Sequence, residues 1–332
     1  MAENETGMRF LTRDAIKYLA IVAMTLDHIA YIFLEPQLLA YSEAGTASVD
    51  TIAQVNAGAL PAGGCAFLSA LSPATVELLY RLFLSIGTFT GPVMLYFLIE
   101  GYFYTHDVRG YAKRLLLFAL LSQLPFSLAN GGFFGNMLFT LLICLGVLHV
   151  HDHVADGGLR KLLYVLLFFA SLFTDWNFLS VPLVLFLRPA FHPTTQKACA
   201  YGESDAAGSR HGGDAPAANE VSMVDHDADQ PQINGADRMN VSVKAPRFYV
   251  DPVEQRCGML KCVTYFIIVL SCLTKGMLEG VTEALGMVLG FVCIAYFYNG
   301  QQAKTHRKLH KYFFYIYYPA HLLVLWGLHA ML

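Results

Sequence analysis

Lys17 and His28 stand eleven residues apart in "KYLAIVAMTLDHIAYIF" (Lys17 to Phe33), a run that is otherwise mostly apolar. At about 100° and about 1.5 Å per helical residue, the two fall within ~20° of one face and ~16 Å apart along the axis. Thr25 and Tyr31 flank His28 by ~60° on either side, and Glu35 returns to the same face, which makes a polar stripe. Asp27 points ~100° away from His28, so it is expected to meet another helix rather than its neighbour. Ionisable groups at membrane depth are costly and mark function by default. An imidazole there can take or pass a proton, because histidine titrates near operating pH. The plainer use of such a residue is a hydrogen bond between helices.

Other polar groups sit in similar surroundings. Glu100 ends the apolar run in "LIEGYFYTHD" and could orient His28, bind an amine, or cap a span at the interface. Arg81 opens a span and has the pattern of an interfacial, snorkelling side chain. His321 and Tyr318 lie in "YIYYPAHLL", where Pro319 frees a carbonyl that a neighbour must satisfy, so both could serve structure or a site. Asp175 in "TDW" reads as an interfacial turn residue. His149, His151 and His153 with Asp152 look like metal ligands, but alternate residues of a helix point to opposite sides, and no metal is expected there. Cys144, Cys272 and Cys293 fall in apolar runs and read as small buried hydrophobes. Cys257 and Cys262 have no second pair at zinc spacing.

The elements that must position these groups are membrane helices. The chain has 332 residues, 55% hydrophobic and only 14% charged, against roughly 25% charged in a soluble domain. A net charge of −3 gives no basic footprint for nucleic acid. The expected fold is an all-α, polytopic bundle of about nine spans, near 15–34, 82–99, 114–129, 137–150, 161–174, 177–190, 261–275, 281–298 and 312–331. The segments at 161–174 and 177–190 are short, and could be tilted spans or a re-entrant hairpin. Residues 36–80 read as an external loop with interfacial helices. With the N-terminus cytoplasmic, 20 of the 22 Lys and Arg fall on inside segments, leaving Arg81 and Lys275 outside. The acidic residues near the start, with no small-residue cleavage site after the first apolar run, argue against a signal peptide. Residues 194–256 are poor in aliphatics and rich in Asp, Ala, Gly and Asn, and are expected to be a disordered cytoplasmic linker. It divides a first part, 1–193 with about six spans, from a last part, 257–332 with three. No internal repeat is visible.

Four landmarks carry a family resemblance: "IVAMTLDHIAYIF"; "RLFLSIGTFTGPVMLYFLIEGYFYTHDVRGYAKRLLLFALLSQLPFSL"; "NMLFTLLICLG"; and "KLHKYFFYIYYPAHLLVLW". In that order they resemble the TraX family, named for the conjugation protein that acetylates the N-terminus of F-type pilin. The Lys17–x10–His28 spacing is similar to the basic–x10–His signature of the acyltransferase-three superfamily. The sequence departs from the family in the linker, which looks like an insertion, and in "SIGTFTGPVM", a looser version of a stretch nearer "GRIAFPIF". The resemblance implies an integral enzyme of the bacterial inner membrane, an O- or N-acetyltransferase using acetyl-CoA as co-substrate and no metal. Its acceptor would be a pilin-like protein or an envelope glycan or lipid. On this reading His28 is the general base that deprotonates the acceptor as it attacks the thioester, with Asp27 beside it. CoA carries phosphates and must approach from the cytoplasm. Lys17, Arg13, Lys113 and Arg114 lie at that face to hold them, as does the cluster Lys304, Arg307, Lys308 and Lys311. Glu100, Arg81, His321 and Tyr318 would support the site. Two alternatives are a proton-coupled transporter, with Asp27, His28, Glu100 and His321 as its path, and a non-catalytic protein of pilus or conjugation assembly.

Overall fold

A computed structural model describes residues 9–43, 68–132, 134–191, 258, 261–263, 265, 277–301 and 307–331. The linker expected at 194–256 and most of the span expected at 261–275 lie outside the described residues. So does most of the loop at 36–80.

Local chemistry starts each helix. Thr12 is extended and accepts the Ala15 N–H at 3.3 Å, and Asp14 sits in the first turn, where negative charge opposes the helix dipole. This opens α1 (Arg13–Ile29), which widens into a π turn at Ala30–Leu34 and runs on as α2 (Glu35–Glu43). Ser72 caps α3 (Pro73–Gly87), with proline at the first position, where its missing N–H is not needed. After a tight turn at Thr88 and Phe89 comes α4 (Thr90–Tyr104). Asp107 accepts the Gly110 N–H at 2.8 Å and starts α5 (Val108–Asn130), which ends on Gly131 at φ 64°, a left-handed residue that glycine adopts freely. Asn136 caps α6 (Met137–His153), and Asp156 caps α7 (Gly157–Ser171). Then come α8 (Asn177–Leu187), α9 (Met277–Val292) with a second π turn at Cys293–Phe297, and α10 (Arg307–Met331). Among the described residues there is no named strand, only two isolated bridges, Leu11 with Tyr298 and Gly135 with Thr174.

The second expected span, 82–99, is longer and broken. Helix runs from Pro73 to Tyr104, interrupted where the Phe89 N–H bonds the Ile86 carbonyl and Thr88 Oγ1 donates to the Ser85 carbonyl at 2.8 Å. A hydroxyl that turns back on its own helix competes with the regular ladder. The first span also outruns its expected end at 34, since Glu35–Glu43 continues it.

The bundle's contacts follow helix neighbours. α10 packs along α5, α1 along α3, and α9 along both α3 and α4, while α6 meets α5, α7 and α8. Three backbone bonds tie the entrance of α1 to the segment after α9: Leu11 N–H to Phe297 O at 2.9 Å, Asn299 N–H to Leu11 O at 3.0 Å, and Arg13 N–H to Gln301 O at 2.8 Å. The outer faces are greasy. α5 exposes Leu116, Leu117, Leu120, Leu121 and Leu124, and α7 exposes Leu159, Leu162, Val165, Leu166 and Phe169. Water disfavours stripes of that kind; hydrocarbon accepts them. Three stretches, Arg13–Ser42, Pro73–Tyr104 and Val108–Asn130, are long and apolar enough to cross a membrane. Shorter apolar helices run over Met137–His153, Phe178–Leu187 and Ala284–Phe297.

Candidate functional site

Helices α1, α4, α5, α6 and α10 enclose a cavity of ≈ 390 Å³. Its chemistry is graded along its length. The mouth gathers the first turns of α1 and α5 with the last turn of α4, so Arg13, Asp14, Lys17, Gly101, Thr105, Tyr111 and Arg114 stand there. The shaft is apolar, walled by Ile21, Met24, Met94, Leu98, Leu115, Leu138 and Leu141. The inner end meets Thr90, Met137 and Tyr318.

The three cations at the mouth are held differently. Arg13 Nε lies 3.8 Å from Glu100 Oε2, and Arg13 Nη2 donates to the Phe97 carbonyl at 3.5 Å. Glu100 also accepts from the Tyr298 hydroxyl at 2.8 Å, so its charge is shared. Lys17 Nζ lies over two rings, 5.6 Å from Phe97 and 5.2 Å from Phe314. Among the described residues it makes no ion pair. Arg114 lies 5.9 Å over the Tyr111 ring, and its Nε is buried without a hydrogen-bond partner among the described residues. The mouth is tight at Gly101: a methyl there would sit 3.3 Å from the Tyr111 hydroxyl and 3.6 Å from Arg13 Nη2.

His28 lies behind the inner end rather than in the cavity wall. It is 5% exposed, on the turn that follows Met24 and immediately before the π turn, a feature that recurs at functional sites. Its Nδ1 is 2.7 Å from the Met24 carbonyl. A carbonyl only accepts, so Nδ1 carries the hydrogen and Nε2 carries the lone pair. Tyr318 lines the cavity and is a neighbour of this ring. Its ring centroid is 6.5 Å from that of His28, and its hydroxyl accepts the Met137 N–H at 3.3 Å. His321 completes the group. Its ring stands perpendicular to His28 at 5.1 Å, stacks on Tyr317 at 5.1 Å, and holds Nδ1 3.0 Å from the Tyr317 carbonyl. Thr25 donates to the Ile21 carbonyl, so the Tyr317 hydroxyl donates to Thr25 Oγ1 at 2.9 Å and pins α10 to α1.

The structure thus brings Lys17, Arg13 and Arg114 to one cavity, and His28, His321 and Tyr318 to its inner end. Lys113 is exposed and does not line the cavity. Glu100 stands at the mouth beside Arg13, not beside His28. Asp27 turns to α3, where Gly87 leaves room that a methyl would fill. Arg81 pairs with Glu77 at 3.0 Å, one turn away on α3 and outside the cavity wall. Glu35 is buried, and the π turn before it breaks the 100° register that placed it on the face of His28. His149 and His153 stack on each other, His151 bonds Tyr164 at 2.7 Å, and Asp152 pairs with Arg188 at 2.5 Å. Among the described residues no three His, Cys, Asp or Glu gather as metal ligands. Lys304 and the side chains of Arg307, Lys308 and Lys311 lie outside the described residues.

Sequence reasoning missed several supports. Thr90 Oγ1 donates to the Ala20 carbonyl at 2.9 Å, joining the cavity wall to α1. Asn136 caps α6, donates to the Ala119 carbonyl at 2.7 Å, and is fully buried. An Asn directly before "MLFTLLICLG" was a readable cap signal. Gly286 and Gly290 face the turn between α3 and α4, and their spacing is the small-xxx-small pattern of close helix packing. Nothing in the sequence marks Tyr298 as a partner of Glu100.

The profile of the TraX protein family matches residues 12–200, more than half of the chain. A probable fimbrial assembly protein, FimC of serogroup H1, from Dichelobacter nodosus is 32% identical over 129 residues, which are 35% of this chain and 52% of that protein. The chain therefore spans about half the length of this curated relative. No solved structure matches.

Proposed function

The chain is a membrane protein of the TraX family, and from that premise we propose that it transfers an acetyl group from acetyl-CoA to the N-terminal amine of a pilin-like protein. The single observation that supports this most is the grading of the cavity: three cations at the mouth, an apolar shaft, and a buried imidazole behind the inner end. Acetyl-CoA has the same grading, with phosphates at one end, a long arm, and a thioester at the other. Lys17 and Arg114 take the phosphates, and Arg13 is steadied by Glu100 beside them. The arm runs along Met94, Leu98 and Leu141 toward Tyr318. The name of the fimbrial relative supports a pilus context for the acceptor.

In this reaction the acceptor nitrogen attacks the thioester carbon while His28 Nε2 takes its proton. Nδ1–H stays on the Met24 carbonyl, which fixes the tautomer throughout. The carbon–sulfur bond breaks, and the leaving thiolate receives the proton from His28. Tyr318 lines the inner end beside His28, and on this reading its ring shifts to let the thioester reach the base.

The test uses purified full-length protein, labelled acetyl-CoA and a pilin-like acceptor. Labelled acceptor should form, and His28→Ala should abolish it at unchanged expression. Full transfer by His28→Ala would sink the assignment of the base.

A further inference from the structure

His28 and His321 are built alike. Each donates Nδ1–H to the carbonyl four residues before it in its own helix, at 2.7 Å and 3.0 Å. Each therefore presents Nε2 as a lone pair. His321 is 6% exposed, and its Nε2 is buried without a hydrogen-bond partner among the described residues. The rings are 5.1 Å apart at 85°, with no hydrogen bond between them. Two acceptors cannot satisfy one another. A group that donates twice can serve both, because the two rings are direct neighbours. A buried acceptor left unpaired is costly, which makes the missing partner a matter of chemistry and not of packing.

We propose that His321 is a specificity-determining residue that holds the second hydrogen of the acceptor, so the site selects a primary amine over a hydroxyl. This rests on the acetyl-transfer reading above and sharpens it. A primary amine has two N–H bonds: one hydrogen goes to His28 Nε2 as a proton, and the other stays on nitrogen and donates to His321 Nε2. The new carbon–nitrogen bond forms, the carbon–sulfur bond breaks, and the thiolate takes the proton that His28 received. The product amide keeps one N–H, which still satisfies His321. A hydroxyl has a single hydrogen and leaves one of the two acceptors unpaired. A site that pairs a polar group discriminates strongly against an analogue that lacks it.

The experiment compares two short peptides that differ only at the first group, L-alanyl with a free amine and L-lactyl with a hydroxyl. Both are bound to the full-length protein in lipid nanodiscs at pH 8, near the pKa of an α-amino group, and both are then offered labelled acetyl-CoA. The wild type should bind the amine peptide about tenfold tighter or more, the loss expected of one unpaired buried acceptor. His321→Leu keeps the bulk, removes the acceptor, and should bring the two affinities to within about twofold. His321→Gln restores an accepting oxygen and should restore the preference, which separates this role from a merely structural one. Equal binding by the wild type, or an undiminished preference in His321→Leu, overturns the proposal. If neither peptide is acetylated while the binding preference depends on His321, the transfer reading falls and the two-acceptor site stands. If transfer runs and the preference for the amine survives in His321→Leu, the site falls and transfer stands.

Discussion

Replacing Gly286 with alanine tests how the cavity's wall is held. α9 crosses the turn between α3 and α4 so closely that a methyl at Gly286 would come nearer than 3.0 Å to the Ser85 carbonyl oxygen and to Thr88 Oγ1. The first of these is backbone and cannot rotate away. The helices must part by on the order of 1 Å, and overpacking of this kind costs roughly 1–3 kcal/mol. Alanine repays part of that, about 1 kcal/mol, through its higher helix propensity. At Gly290 the added methyl would sit 3.1 Å from the Phe89 carbonyl oxygen, which is tight but tolerable. At Gly327 it would meet no described atom within 4 Å. The expected order of destabilisation is therefore Gly286→Ala, then Gly290→Ala, then Gly327→Ala near zero or slightly stabilising. Thermal unfolding of the three variants in one detergent reads it directly, at roughly 2–4 °C per kcal/mol for a body of this size. The strain should also reach the site, because Thr90 just beyond the turn bonds the Ala20 carbonyl and lines the cavity. A Gly286→Ala protein that melts with wild type, or below only as far as Gly327→Ala does, would refute the close approach of α9.

Lys17→Gln should raise the KM for acetyl-CoA by about 10- to 100-fold, the worth of one charge-assisted bond, and leave acetyl-pantetheine, which lacks the nucleotide phosphates, nearly unaffected. An equal loss on both substrates would mean that Lys17 does not read phosphate. Asn136→Ala removes the cap of α6 and a buried bond to α5, so unfolding should come earlier by about 1–2 kcal/mol, a shift that scanning fluorimetry resolves.

The helical nature of the chain was legible because apolar runs of span length carry few charges, and tertiary packing could not hide that signal. Boundaries were less legible where a polar side chain acts on its own backbone. Thr88 turns its hydroxyl onto Ser85 and breaks one long helix into α3 and α4, and a window of mean apolarity averages over such a break. The π turn at Ala30–Leu34 is similarly silent, since no residue type demands it. It removes Glu35 from the stripe on which a uniform 100° rotation had placed it.

The site divides along the same line. Lys17 and His28 were legible as one stripe because both lie on α1 before the π turn, where the rotation is regular. What periodicity cannot say is which helix the stripe meets. His321 stood out in the sequence only as a histidine near a proline, with two possible uses. Its meaning comes from α10 lying beside α1, pinned where the Tyr317 hydroxyl donates to Thr25. That bond helps hold the register in which His28 and His321, about one turn further along each helix, meet edge to face. Thr25→Val would keep the shape of α1 and lose the pin. The two imidazoles would then be free to slip past one another, and the discrimination between amine and hydroxyl would fade even though neither histidine had been touched.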